Sequence, residues 1–316
     1  MFKLLSKKNT ASGLLGLSVS EERVILAHLT RSATADGYPT LINCAQQTLE
    51  SAGQAREVLA AQVDSMGIDG LACNYVLSPR DYNLYLIEAP AVEPAELSSA
   101  VRWKIKDLLD MPAEDAVIDI FPVPEDAFQG RSKMLYAVAA QKSRIQSVIE
   151  MVSRSGLKLQ SIDIPELVMR NISKELLSDE NGIAFLDLRK TGSTMNLSKN
   201  GQLYLTRKIN TQLDANVMSS LDWEMQRDRL VLEVQRSLDY YESQMGQNPI
   251  SQIVIAPRPT DSQEMADSLS SVMSVNVSVA DLSAAMNISD TIDYEAQHTC
   301  LMAIGGALRV ETAVHA

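Results

Sequence analysis

The chain has 316 residues, 46% hydrophobic and 22% charged, with a formal net charge of −12. That length allows one large domain or two moderate ones around a substantial core, and the composition is that of an ordinary globular protein. The acidic excess argues against general binding to nucleic acid or to an anionic membrane surface, since both would repel it.

The start, MFKLLSKKNTASGLLGLSVSEER, carries Lys3, Lys7 and Lys8 beside a short, serine-broken apolar run with no cleavage site, which speaks against a signal peptide. It reads as a frayed tail or as an amphipathic segment touching a membrane. No run approaches the roughly 18–20 apolar residues of a membrane span, so a cytoplasmic protein is expected. SGLLGLSVS, ERVILAHLTR and PTLINCAQQTLE then read as three strands, separated by turns at Ser20-Glu21-Glu22 and TADGYP. SAGQAREVLAAQVDSMG follows as a helix, with Ala55, Val58, Leu59 and Val63 at helical spacing and Gly67 as its stop. ACNYVLS is the next strand.

From residue 84 the pattern changes. RDYNLYLIEAP begins a strand, Pro94 opens the helix PAELSSAVRWKIKDLLD, and DAVIDIFPV and SKMLYAVAAQ alternate as strands. KSRIQSVIEMVSRSG is a helix, with Ser143 as N-cap candidate, Ile145, Val148, Ile149 and Val152 inward, and Gly156 at its exit. This β-α-β-β-α order, followed by LKLQSIDIP, makes an inserted subdomain over roughly 84–160. PELVMRNISKELL then returns the chain, over 161–180, to the first half, which begins at 1–83.

The stretch 181–316 repeats the order of the first. FLDLRKTGSTMNLSKNGQLYLTRKIN gives three strands with turns at RKTGST and SKNG. RDRLVLEVQRSLDYYESQMG is a long helix with Leu230, Val234, Leu238, Tyr241 and Met245 on one stripe, and ISQIVIAP is a buried-type strand. Two passes of strand-strand-strand-helix-strand imply a duplicated α/β architecture with a cleft between its halves. The three cysteines (Cys44, Cys73, Cys300) and three histidines (His28, His298, His315) are scattered, with no zinc-ligand spacing and no Ser/His/Asp set. The thiols read as free, in a reducing compartment.

Four blocks in register, LSSAVRWKIKDLLDMPAEDAVIDIFPV, IQSVIEMVSRSGLKLQSIDIPELVMRN, LDLRKTGSTMNLSKNGQLYLTRKI and LVLEVQRSLDYYESQ, resemble the PilM family of type IV pilus assembly proteins. Within that family the chain looks most like the members from mannose-sensitive haemagglutinin (MSHA) pilus systems. The resemblance covers nearly the whole chain. It implies an actin-like ATPase (ribonuclease H-like) duplicated α/β fold, close to that of the division protein FtsA, with the FtsA/PilM-type inserted subdomain. It also implies a cytoplasmic protein at the inner-membrane face, docked on a PilN-like bitopic inner-membrane protein. That partner's cytoplasmic N-terminal peptide would lie in a groove beside the insertion.

An actin-like fold holds Mg-ATP between two phosphate hairpins and a glycine-rich adenosine segment. Glycine at the hairpin tips lets backbone N–H groups approach the phosphates, and a nearby aspartate holds the metal through water. By resemblance the first hairpin here keeps Gly16, Ser18 and Ser20 but has no aspartate. The second keeps Asp187, Thr191, Gly192, Ser193 and Thr194, with Arg189 in place of the usual glycine and Lys190 beside it, either phosphate-binding cations or a solvated turn. VIAPRPTDS has Ala256, Pro257 and Arg258 where paired glycines belong. Gly305 and Gly306, the one glycine pair nearby, fall in the last helical stretch and read as packing. RKTGST is therefore expected to be a degenerate copy of a phosphate loop, with ATP and magnesium as possible ligands rather than firm ones.

On PAELSSAVRWKIKDLLD the stripe is Leu97, Val101, Ile105 and Leu108, and Trp103 projects from nearly the opposite side. Trp103 either packs under a loop of its own chain or lines a partner groove, with Arg102, Lys104 and Lys106 nearby to suit an acidic or membrane-proximal partner. The leading expectation is a non-catalytic or weakly nucleotide-binding scaffold of the pilus platform. The runner-up is an active ATPase that cycles or polymerises. A sugar or acetate kinase ranks last, for want of a phosphoryl-acceptor site.

Overall fold

A computed structural model describes residues 13–31, 37–128, 132–177, 179–190, 192–211, 213–214, 216–289 and 292–310. Thr191, His315 and the start with Lys3, Lys7 and Lys8 lie outside them. The first half runs β1 (Leu14–Val19), β2 (Arg23–Thr30), β3 (Thr40–Thr48), α1 (Ala55–Met66) and β4 (Ala72–Val76). Helix α1 stops because Gly67 takes the left-handed conformation (φ 64°) and turns its N–H back to the carbonyls of Val63 and Asp64. Next come β5 (Tyr82–Glu88), α2 (Leu97–Ile105), β6 (Ala116–Pro122), β7 (Met134–Gln141), α3 (Lys142–Arg154), β8 (Lys158–Asp163) and α4 (Pro165–Leu176). The second half contributes β9 (Ile183–Asp187), β10 (Ser193–Lys199), β11 (Gln202–Ile209), α5 (Trp223–Ser243), β12 (Gln252–Ile255), α6 (Ser262–Ser270), β13 (Asn276–Val279), β14 (Asn287–Ile288) and α7 (Tyr294–Ala307).

The sheets make the duplication explicit. One has the order β14-β3-β2-β1-β4-β8 and another β11-β10-β9-β12-β13. In each, three strands form an antiparallel meander, and two more join parallel on the far side of the first strand. Helices α1 and α5 stand in equivalent places before the fourth strand. The central strands β1 and β9 are apolar along almost their whole length because both sheet faces are covered.

The helix that ends each half packs across the junction. Val168, Met169 and Ile172 of α4, and Ala303, Ile304 and Ala307 of α7, share one core with Ala27 and Leu29 of the first sheet and Ile183 and Phe185 of the second. Asn196 of β10 donates from Nδ2 to the Glu166 carbonyl of α4 at 2.7 Å, and Asn74 of β4 donates to Gly306 O of α7 at 2.9 Å. Burying one apolar stripe on each helix against the opposite half fastens the halves together.

The third sheet, β5-β7-β6, is antiparallel and carries α2 on one face, where Val101 and Ile105 bury against Ile87, Leu135, Ala137 and Ala139. Three details differ from expectation. Leu108 is exposed, because α2 gives way to a 3₁₀ turn at Lys106–Leu108, and the tighter winding puts Leu109 against that core instead. Helix α3 begins straight from β7 with Gln141 as N-cap; Ser143 lies inside it, and Ile149 points to solvent. Finally, β8 is not part of the inserted layer. It pairs parallel with β4, and α3 buries Val148, Met151 and Val152 with Leu59, Val63 and Ile68 of the first half.

Candidate functional site

In sheets of this kind ligands collect beyond the carboxyl ends of the central parallel strands. Here those ends carry two hairpin turns, at 20–22 after β1 and 188–192 after β9, and the 256–261 turn after β12.

The first turn closes on itself. Ser20 Oγ accepts from the backbone N–H of Glu22 (3.3 Å) and of Arg23 (3.1 Å), so the amides a phosphate would use are already engaged. Its tip presents Glu21 and Glu22 to solvent, which would repel a polyphosphate. Ser18 is an internal β1 residue, opposite Ile25 and Val76. Gly16 has a different purpose from the expected one. A Cβ on it would run into the Ala303 carbonyl of α7 and lie 2.8 Å from Ala307 N. The glycine is there so that α7 can cross β1 in direct backbone contact.

The second turn is organised by Arg189. Its Nε–H bisects the Asp187 carboxylate, 2.8 Å from one oxygen and 2.7 Å from the other. The carboxylate expected to face a hydrated metal therefore has a covalently tethered counter-ion. Lys190, exposed, pairs with Asp214 at 3.1 Å. Ser193 is buried and donates to Thr211 O (3.0 Å), while Thr194 stands opposite Asp187 in the β9–β10 ladder. Gly192 has φ 126° with open space around its missing side chain. Of the expected second-hairpin residues, it alone among those described keeps the form a phosphate tip needs.

Arg258 fills the third element. It is 3% exposed, and its guanidinium donates from Nε to Asp261 (3.0 Å), from Nη1 to Leu188 O (2.9 Å) and from Nη2 to Asp214 O (2.7 Å). One side chain thus ties the 256–261 turn to the β9–β10 hairpin and to the loop after β11. Asp261 holds its carboxylate in place from a left-handed backbone (φ 56°), a conformation that costs a residue other than glycine about 1–2 kcal/mol. His298 of α7 reaches the same turn through a short Nδ1 contact to Pro257 O. Burial first, then the positive charge of Arg189, lowers the imidazole pKa below its ordinary value, so the ring is neutral at physiological pH. Taken together, these groups do not fit a magnesium-bound triphosphate. The first tip is acidic, Asp187 is neutralised, and a guanidinium stands where adenosine-segment glycines would.

No protein-family model matches the chain, and no curated protein sequence does so significantly. Solved structures do. The PilM–PilN type IV pilus biogenesis complex aligns with TM-score 0.66 and 16% identity over 94% of this chain and 98% of the other. The cytoplasmic domain of EpsL, an inner-membrane component of the type II secretion system of Vibrio cholerae, aligns with TM-score 0.52 and 12% identity over 95% and 97%. A Bacteroides thetaiotaomicron protein of unknown function, described as having an actin-like ATPase fold, gives TM-score 0.51 and 10% identity over 94% and 99%. The fold is actin-like.

On the inserted layer Trp103 is 71% exposed, with Lys106 Nζ 3.7 Å from its ring centroid. It does not pack beneath a loop. Leu108 lies exposed one turn on. Arg102, expected to face a partner, instead donates to Ala113 O (2.6 Å) and Ala116 O (3.0 Å), strapping the following turn to the helix. Lys104 is similarly occupied by Glu88 O at 2.8 Å. Of the three expected partner residues, Trp103 and Lys106 stay together at the surface and Arg102 does not join them. Among the described residues no cluster of three or more His, Cys, Asp or Glu side chains is arranged to hold a metal, and no helix is long and apolar enough to cross a membrane.

Sequence reasoning missed the function of Arg258 and His298 altogether. The available signal was Arg258-x-x-Asp261, opposite charges three residues apart at the start of a helix, read only as missing glycines.

Proposed function

We propose that this chain is a scaffold of a type IV pilus assembly platform, of the PilM kind and nearest its MSHA-pilus branch, working at the cytoplasmic face of the inner membrane. It binds the cytoplasmic N-terminal tail of a PilN-like bitopic membrane protein on the inserted layer around Trp103 and Lys106, and it does so without hydrolysing ATP. The observation that carries this reading is the end-to-end alignment with the PilM–PilN complex, over 94% of one chain and 98% of the other. The likeness to the EpsL cytoplasmic domain supports the same class of role. An exposed tryptophan supports the choice of surface, because its apolar area favours burial in an interface.

The test is a titration with a synthetic tail peptide from the PilN-like protein of the same organism, followed by tryptophan fluorescence. Trp223 is nearly buried and Trp103 is not, so a blue shift on binding reports on Trp103. Saturable binding, weakened about tenfold or more in Trp103→Ala, supports the proposal. Absence of binding by the unaltered protein refutes it.

A further inference from the structure

A scaffold that does not hydrolyse ATP leaves its nucleotide position unused, and the identity of the groups standing there rests on that proposed role. A bound nucleotide in a two-hairpin cleft bridges segments distant in sequence. In this chain Leu188, Asp214 and the 257–261 turn are such segments, and side chains of the protein itself bridge all three. We infer that Arg258 is a built-in substitute for the ligand: its buried guanidinium, with Arg189 on Asp187 and His298 on the Pro257 carbonyl, holds the second half and α7 in one fixed arrangement independent of nucleotide.

Three observations converge on this. Arg258 directs donors at two backbone carbonyls that no local turn geometry would bring together, 70 and 44 residues away in sequence. Asp261 adopts a left-handed backbone while giving its carboxylate to Arg258, an arrangement in which glycine would relieve the backbone and lose the charge. His298 reaches across from the helix that packs on the first sheet, so the same cluster also fastens the two halves. A cation held by three acceptors from three segments needs no second ligand to complete it.

The experiment compares the unaltered full chain with Arg258→Ala by thermal unfolding, with and without millimolar Mg-ATP and Mg-ADP, and by hydrogen exchange. The unaltered protein is expected to show no nucleotide-dependent rise in Tm, because a ligand that binds only the native state must raise it. Arg258→Ala is expected to melt about 6–12 °C lower, since it strands a buried carboxylate and two carbonyls. Exchange should quicken both in the 256–262 segment and in the β9–β10 hairpin. Should the alanine variant not fold, Arg258→Lys is read in the same way: its ammonium keeps the charge but cannot span all three acceptors. A saturable nucleotide shift in the unaltered protein overturns the inference. So does faster exchange confined to residues 256–262, which would make Arg258 a local cap. The tail-peptide titration reads a different surface, so failure of either idea leaves the other to be judged separately.

Discussion

Gly16 separates two accounts of the first hairpin, and Gly16→Ala tests them. If glycine is there to admit a phosphate, the alanine variant without ligand should be as stable as the parent or slightly more so, because glycine in a strand costs roughly 0.5–1 kcal/mol against alanine. The structure predicts the reverse. The added Cβ would overlap the Ala303 carbonyl and sit 2.7 Å from Ala303 C and 2.8 Å from Ala307 N, where ordinary contact starts near 3.4 Å. All three atoms are helix backbone, so no rotamer change relieves them, and α7 must lift off β1 by more than about half an ångström. A gap of that size forfeits roughly a quarter to a half of the dispersion energy along the seam. The seam is held by Leu301, Ala303, Ile304 and Ala307, all buried. With the overpacking itself, the loss comes to about 3–5 kcal/mol, which lowers a urea midpoint by about 1 M or more. Gly192→Ala is the control, having open space and a positive φ, and should cost about 1–2 kcal/mol from the backbone alone. A Gly16→Ala midpoint equal to or above the parent's would refute the packing account.

Three further outcomes are expected from individual contacts. Tyr82→Phe removes the hydroxyl that donates to the buried Glu166 carboxyl at 2.5 Å, and should destabilise by about 1–3 kcal/mol in denaturant unfolding. Burial already raises the Glu166 pKa and the Tyr82 bond lowers it, so NMR titration should find it higher still in the variant. His298, whose pKa is depressed in the fold, contributes stability that is complete above the unfolded value near 6.5 and lost as pH falls toward the folded value. Stability should therefore decline below about pH 6.5 by up to about 1.4 kcal/mol per pH unit, and His298→Gln should flatten that part of the profile. Trp103→Ala should change stability by about 1 kcal/mol or less, since the exposed ring offers one cation–π contact, to Lys106; a larger loss in thermal unfolding would mean that the ring is structural.

Much of the architecture was legible because it is local. The β1–β2–β3 and β9–β10–β11 meanders announce themselves by alternation and turn residues, and the α5 stripe of Leu230, Val234, Leu238 and Tyr241 is buried as its spacing requires, while Met245, expected on the same stripe, is buried just beyond the end of the helix. What an apolar stripe does not reveal is which surface covers it. Helix α4 reads only as the segment that returns the chain to the first half and α7 only as the last helical stretch; their crossing between halves depends on partners more than a hundred residues away, such as Asn171 with Gly305. The same limit applied at the site. Ser20, Gly16 and Asp187 carry residue types that suit a phosphate cradle. Their availability, though, is decided by a side chain bending onto its own turn, by a helix crossing overhead and by Arg189 two residues on. Leu108 failed for a smaller reason: a single 3₁₀ turn shifts the stripe by one residue.

The way the carboxylates are paired explains why this arrangement would persist. Asp163 ends β8 at 1% exposure and is met by Arg309 at 3.0 Å; Asp187 ends β9 and is met by Arg189 at 2.7 Å; Asp261 precedes α6 and is met by Arg258 at 3.0 Å. Each of these three carboxylates thus has its own arginine. Breaking the Arg258–Asp261 pair, buried on both sides, leaves an uncompensated charge, at a cost of about 3–5 kcal/mol against a total stability of about 5–15. A glycine put in place of Arg258 therefore loses stability before it gains any ligand. Only a change that removes the arginine and reshapes the tip together avoids that penalty. The proposed scaffold role needs a fixed shape, and an exposed tryptophan on the inserted layer suits it.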